Sequence, residues 1–500
     1  MTNRGYVTIF VTLLISVVLV VVTAVIYANK QSYARTKAAT SLSSANSSEL
    51  ANYNRMIFDR YHILLVDKNA SGQGEGAFEQ SIEDSLVYDL GDGFSVDSVE
   101  LSQTAGITDY NCYEFKRQIQ ENFLYDVVDS SVDMIIDKTE GCDDPMTDEE
   151  MQQIDSGIAT EQQEIEAELE TKEEAESESA ESEDADESVS GSDEVVNTSD
   201  EASMTIKDPR DTLKSYTDAG LWVYLLPDNF ELSSNVADKT TLPSYGYSST
   251  LLKSVKTDFD DLDQMMMDST LADGWYTSLI TEAEGIMYAS RYFNCLTDQK
   301  YDDTFFNLEL EYLIGGEDTD GGNFRSAVDE LLMLRFVMNF AYIVTDSEKL
   351  AICESTAAVI CLLMPAMQPV VKYLIAGCWA YIESVVDVYM LVNNHKVKFF
   401  KGGETWRSSF ESLENLDSFA DDNDGEEGLD YKEYLMILLA LHGDSIYYRM
   451  LDIMQLNVNV PGTDHYDPTF RMENAITAFG VNADISYGDT QFNLHEEAGY

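Results

Sequence analysis

YVTIFVTLLISVVLVVVTAVIY, Tyr6 to Tyr27, is an unbroken apolar run with one Ser, Ser16, and no charge. At about 1.5 Å per helical residue, such a run crosses the roughly 30 Å hydrocarbon layer of a bilayer. A cleaved signal peptide has a shorter apolar region, about 7–15 residues, closed by a small-x-small site. Here the run is longer, and Ala28-Asn29-Lys30-Gln31 after Val25-Ile26-Tyr27 makes a poor cleavage site. Residues 1–28 are therefore expected to form an uncleaved transmembrane anchor whose partner is the lipid bilayer. Arg4 precedes the run, and Lys30, Arg35 and Lys37 follow it. Charge alone slightly favours a cytoplasmic body, although long domains translocate largely regardless of charge.

Behind the anchor, a chain of 500 residues has room for two or three domains, and its 44% hydrophobic content is ample for a core. The formal net charge is −62. A surface this acidic repels nucleic acid and anionic lipid headgroups, so no nucleic-acid partner is expected; it attracts divalent cations and basic partners. The six cysteines include no CxxC pair, which leaves out a zinc ribbon and a thioredoxin motif. Cys353, Cys361 and Cys378 sit in apolar helical sequence and read as small buried hydrophobes. Cys112 and Cys142 flank one segment, and a disulfide between them is open in an oxidising compartment.

Outward from the anchor, Lys30–Ala51 has few helix breakers and reads as a helical stalk. The second half of Tyr53–Asp67 reads as a buried strand, Ser71–Gly76 as a loop, Ala77–Leu90 as a helix, Phe94–Leu101 as a strand and Tyr113–Val128 as a helix. Residues 29–140 thus form a stalk with an α+β region. Residues 141–205 are dominated by Glu, Asp, Ser and Ala, and read as an acidic disordered linker that buries too little apolar surface to offset ordering.

Residues 206–500 read as mainly helical. A helix is expected from Asp208-Pro209-Arg210, and others over Tyr276–Thr297, Phe305–Leu313, Thr405–Leu413 and Tyr431–Leu441. Gly315–Asn323 reads as a loop delivering a helix whose inner face carries Leu331, Leu334, Met338 and Ala341. Leu350–Met364 and Val370–Val392 are apolar, and the second is long enough to span a membrane. It carries Lys372, Glu383 and Asp387, which at about 100° per residue share one stripe and would be costly in lipid. Two core helices separated by Pro365 and Pro369 are therefore expected. Near the end, Ile476, Ala478, Val481, Ala483, Ile485 and Tyr487 alternate with one slip at Phe479-Gly480, reading as a late strand bulged at the glycine. Its partners are expected among the N-terminal strands.

Chemical motifs are sparse. The five histidines are scattered, and HExxH, G-x-S-x-G, Walker and dinucleotide fingerprints are missing from the sequence. No catalytic, cofactor or metal residues are assigned, no cofactor is expected, and the chain is expected not to be an enzyme. Asp422–Glu433 approaches an EF-hand, with acids at loop positions one, three, five, nine and twelve, but Glu427 stands where the turn glycine belongs. The plainer reading is an acidic loop before a helix starting near Asp430.

Several runs carry a family resemblance: Gly5-Tyr6-Val7-Thr8-Ile9-Phe10, Asp59-Arg60-Tyr61-His62-Ile63-Leu64-Leu65-Val66-Asp67, Leu310-Glu311-Tyr312-Leu313-Ile314-Gly315-Gly316 before Asp318-Thr319-Asp320, Leu334-Arg335-Phe336 with Asn339-Phe340-Ala341-Tyr342, Ala380 to Val388, Glu404-Thr405-Trp406, and Gly428 to Leu435. Together these resemble single-pass proteins of Gram-positive bacteria that are often encoded beside tight-adherence (Tad, Flp-type) pilus machinery. They are loosely grouped with TadE- and TadG-like pseudopilins. The resemblance implies a cytoplasmic N-terminus, an extracytoplasmic body, and pilin or pilus-assembly membrane proteins as partners; it supplies no activity. Processed Tad pilins carry a Glu five residues after the leader glycine, where this chain has Phe10. Prepilin-peptidase cleavage and a major-pilin role are therefore not expected. The expected fold is α+β: anchor and stalk, a small sheet with helices, and a helical C-terminal body with a late strand. The expected function is a membrane-anchored structural or assembly component of a Tad-like pilus or secretion apparatus. The alternative is a stand-alone cell-surface binding protein, an adhesin or wall-binding module.

Overall fold

The computed structural model describes residues 4–69, 72–124, 225–227, 230–249, 275–362, 364–409, 428–463 and 465–500. The acidic segment 141–205, Cys142, Asp208-Pro209-Arg210 and Asp422–Glu427 lie outside the described residues. Along the chain run α1 (Arg4–Leu50), α2 (Arg55–Tyr61), β1 (Val66–Asp67), α3 (Glu75–Leu90), β2 (Phe94–Gly106) and α4 (Asp109–Leu124). There follow α5 (Pro243–Ser249), α6 (Trp275–Tyr292), α7 (Glu309–Gly315), α8 (Asp320–Thr345), α9 (Ser347–Ile360), α10 (Gln368–Val392), α11 (Tyr431–His442), α12 (Ser445–Val458), β3 (Ala475–Tyr487) and β4 (Thr490–Gly499). The fold is α+β, as expected: a long apolar helix, a small antiparallel sheet and a mostly helical body.

The 47 residues of α1 form one continuous helix, about 70 Å long at 1.5 Å per residue. Residues 9–30 are exposed on every side. From Gln31 onward one face is buried, through Ala34, Ala38, Leu42 and Ala45. Spacings of three and four keep these on one side of the helix. The expected stalk is therefore helical but not free-standing. Its small Ala and Ser side chains let it lie closely against α3, β3 and β4.

The sheet joins the two ends of the chain. Strand β3 has β2 antiparallel along one edge, and β4 and then β1 antiparallel along the other. Phe479, Val481, Ala483 and Ile485 point to the face covered by α1 and α3, where they meet Leu42, Phe78, Ile82 and Leu86 in one buried cluster. Each of the Val, Leu, Ile and Phe side chains contributes roughly 1.5–3 kcal/mol on burial. The expected pairing of the late strand with N-terminal strands is thus observed. The irregularity at Gly480 is also there, but the extra residue, Ser102, stands on β2. A Cβ on Gly480 would lie 2.8 Å from Ser102 Oγ, so the glycine makes room for its partner's bulge.

Other expectations need correction. Most of Tyr53–Asp67 is helix α2 and extended chain, with only Val66–Asp67 in the sheet. Asn54 caps α2 by accepting from Ile57 N, and His62 closes it with a left-handed φ of 56°. Residues 405–409 are not helical. Their amides are used elsewhere: Arg407 N and Ser408 N donate to the Glu383 carboxylate at 3.0 and 2.6 Å. On α8 the buried line runs through Leu331, Arg335 and Asn339, while Leu334, Met338 and Ala341 are only half-buried. Helix α8 starts at Asp320, earlier than the glycine-rich sequence suggested, because Thr319 caps it by accepting from Gly322 N at 3.2 Å.

Candidate functional site

Two buried polar clusters organise the helical body, and both draw in part on the sequence runs quoted above, through Glu311, Asp320, Arg335, Asn339, Glu383, Asp387 and Tyr434. The first joins α8, α10, α11 and the segment 399–408. Arg335, fully buried, donates from Nε and Nη2 to Asp387 Oδ2 at 3.0 and 2.9 Å. Its Nη1 donates to the Phe399 carbonyl at 2.8 Å and to the Tyr434 hydroxyl at 2.9 Å. Asn339 Nδ2 donates to Ser384 Oγ and to Asp387 Oδ2, both at 3.0 Å. Lys401 lies 2.5 Å from Asp387 Oδ1 and pairs also with Glu383. Burial alone would push the Asp387 carboxyl up, but Lys401 and Arg335 outweigh it and hold the group below the usual range. The cluster contains two acids and two bases, so its formal charge is zero.

Glu383 and Asp387 are one helical turn apart on α10, and each meets a cation from outside that helix. A charge that would be prohibitive in lipid is therefore satisfied within protein. Beside this cluster, Lys349 Nζ sits 4.7 Å from the Trp406 ring centroid and 5.0 Å from that of Trp379. Burial lowers its pKa. Gly428 secures the far side: its φ is +126°, and an added Cβ would meet the Val397 carbonyl carbon at 2.7 Å.

The second cluster surrounds α7. Glu309 accepts from Asn294 N and Asn457 Nδ2, each at 2.7 Å. Glu311 accepts from Leu296 N at 3.0 Å. Asp320 accepts from the amides of Ser233, Asn307 and Leu308 at 2.8, 3.0 and 3.2 Å. Asp452 accepts from Ser244 N at 3.0 Å and from the Tyr312 hydroxyl at 2.8 Å. Burial pushes Glu309 and Glu311 up to about 7, and Asp452 up to about 6. These carboxyls fasten irregular backbone to α7, α8 and α12, filling the role that regular ladders fill elsewhere.

Among the described residues, no group of three His, Cys, Asp or Glu side chains is arranged to hold a metal. Of the EF-hand-like run, Asp430 and Glu433 are described, and both serve a capping box at the start of α11. Cys112, Cys295, Cys353 and Cys361 are buried free thiols, while Cys378 is only half-buried. Cys112 follows Tyr110 and Asn111 in a left-handed turn, with φ of 49°, 59° and 59° along the three residues. Burial pushes its thiol up to about 12, a range in which it is a poor nucleophile. Tyr88, Ser44, Ser48 and Asp84 line an open groove of about 420 Å³ between α1 and α3, without a convergent set of reactive groups.

Apolar surface is concentrated in two places. One is the free half of α1. The other is the turn between α9 and α10, where Val359, Leu362, Met364 and Leu374 are exposed, Leu362 by 74%. Ser355–Val371 contains no charged residue.

Comparison with known families matches residues 199–487 to a family of unknown function, DUF5702. The chain belongs to that family. The DUF5702 region takes in both buried clusters and β3, and leaves α1, β1, β2 and β4 outside. Among the described residues, β3 is therefore completed entirely by strands beyond the family match. Nothing among curated proteins or solved structures matches the chain.

The sequence assigned no site residues, and none of the arrangements above is an open reactive centre. What sequence reading missed was the pairing of Arg335 with Asp387. The available signal was an Arg on the otherwise apolar side of a helix, but its partner lies 52 residues on.

Proposed function

We propose that this protein is a membrane-anchored structural or assembly component of a Tad-like pilus or secretion apparatus, with its body extracytoplasmic and with no catalytic role. The observation that carries this reading is the continuity of α1. A single helix is apolar on all sides over residues 9–27 and then becomes one wall of the sheet's core. Body and candidate span thus share one helix, which suits a subunit that transmits position or force between bilayer and exterior. Along the free half, Thr12, Ser16 and Thr23 fall within an arc of about 40° at 100° per residue. Hydroxyl-bearing stripes of this kind suit lateral packing against other membrane helices. The orientation rests on the family resemblance of the quoted runs.

A clean deletion tests the proposal. Loss or shortening of surface pili, with the full-length protein co-purifying with pilus membrane proteins, is the expected result. Normal piliation in the deletion strain would overturn it. The charge-free turn between α9 and α10 favours a second reading, a surface binding protein, which predicts capture of wall material by the full-length protein in a strain lacking pilus genes.

A further inference from the structure

The point where α1 leaves its apolar run carries a charge signature opposite to the rest of the chain. The first acidic residue is Glu49; before it stand Arg4, Lys30, Arg35 and Lys37, in a chain of net charge −62. Lys30 lies three residues beyond Tyr27, about 4.5 Å along the axis. Headgroup regions extend roughly 5–7 Å beyond the hydrocarbon layer on each side. Side chains on a helix lean toward its N-terminus, here toward the apolar segment, so Arg35 also reaches back to that depth.

No linker separates this zone from the folded body. Gln31 Nε2 donates to Thr490 Oγ1 at 3.2 Å. Lys30 Nζ lies 5.0 Å from the Tyr487 ring centroid, and that ring packs on Phe94 at 4.5 Å. Lys37 Nζ donates to the Asp89 carbonyl at 3.1 Å. The turn Gly488-Asp489 between β3 and β4, and the turn Gly91-Asp92-Gly93 before β2, therefore lie level with the helix exit. Tyr27 and Tyr33 are both more than half exposed there, as expected of side chains at a membrane–water boundary.

We propose that this end of the sheet is a seat for anionic phospholipid headgroups. Lys30 and Arg35 pair with lipid phosphates, Tyr27 and Tyr33 lie among the headgroups, and the two glycine-bearing turns rest on the bilayer surface. The exposed Asp92 and Asp489 stand on the same rim and oppose the attraction, so the seat depends on the basic side chains reaching phosphate while those acids stay in water. The inference rests on α1 spanning the bilayer, but not on a pilus role.

The test uses the full-length protein in nanodiscs of phosphatidylcholine with phosphatidylglycerol. One photoactivatable phosphatidylglycerol carries its reactive group on the headgroup, and another carries it mid-chain. Headgroup adducts on residues 27–37 and on Gly488-Asp489-Thr490 are expected. Native mass spectrometry should show retained phosphatidylglycerol falling about fivefold for each of Lys30→Gln and Arg35→Gln. Adducts on α1 without any on the two turns, or an unchanged lipid preference in the double variant, would overturn the seat. Absence of mid-chain adducts on residues 9–27 would instead overturn the membrane span itself, which separates the two failures.

Discussion

Helices α1 and α10 are both long and apolar enough to cross a bilayer, yet they meet opposite environments. The apolar window of α1 is 0% buried within the protein, and that of α10 is 78% buried. Both pass on length, but mean hydropathy is 3.2 over the apolar window of α1 and 1.4 over that of α10, and the charged residues of α10 mark the difference. The exposed part of α1 has no ionisable group between Arg4 and Lys30 other than Tyr6 and Tyr27. By contrast, α10 carries Glu383 and Asp387 in its second half, and both are met by cations delivered from α8 and from the segment after α10. A carboxylate in an apolar helix marks a protein interior when a counter-charge is built to receive it. The first half of α10 is less protected, and Leu374 is exposed. The helix changes environment along its length, as α1 does.

The strongest way to break this comparison is Asp387→Ala. It leaves Arg335 and Lys401 buried with too little negative charge, and should cost about 3–5 kcal/mol in denaturant unfolding of the body. A cost below 1 kcal/mol would mean that the ion cluster does not hold α10 in the core.

Next come the carboxyls around α7. Their folded pKa values are raised by burial, Glu309 and Glu311 to about 7 and Asp452 to about 6. The folded state therefore keeps protons that the unfolded chain releases, and the stability they give declines as pH rises from about 4 to about 7. Asp387 has the opposite sign: its pKa is lowered, so its contribution is lost as pH falls through the acid range. Glu309→Gln should flatten the decline between pH 4 and 7 by on the order of 3 kcal/mol. An unchanged slope would show that Glu309 titrates normally.

Two smaller effects contrast the halves of α1. Ala38→Leu overfills the contact with the sheet and should destabilise the body by roughly 1–3 kcal/mol. Leu19→Ala changes a residue exposed outside the body, and should leave body stability within about 0.5 kcal/mol. Equal effects at the two positions would mean that the halves are not in different surroundings.

Much of this architecture was legible in the chain. The α1 run, α3, α11 and the late strand were recognisable from period and length, and β3 pairs with N-terminal strands as its alternation required. The remainder depends on contacts distant in sequence. Arg335 and Asn339 share the buried side of α8 with Leu331, and nothing near them in sequence announces Asp387 as their partner. Residues 405–409 carry helix-compatible sequence, but the amides of Arg407 and Ser408 are taken by Glu383. Strand β4 escaped notice because only Phe492, Leu494 and the small Ala498 mark its inner side among polar residues. The buried carboxyls were hidden by abundance: 92 acidic residues give no means of choosing the few that are internal.

The most direct test of the central claim is photolabelling of the full-length protein in bilayers by a lipid whose reactive group sits at mid-acyl chain. Adducts confined to residues 9–27, with none on Ile375–Val392, are the predicted result. Adducts on Ile375–Val392 would place α10 in lipid and contradict the account.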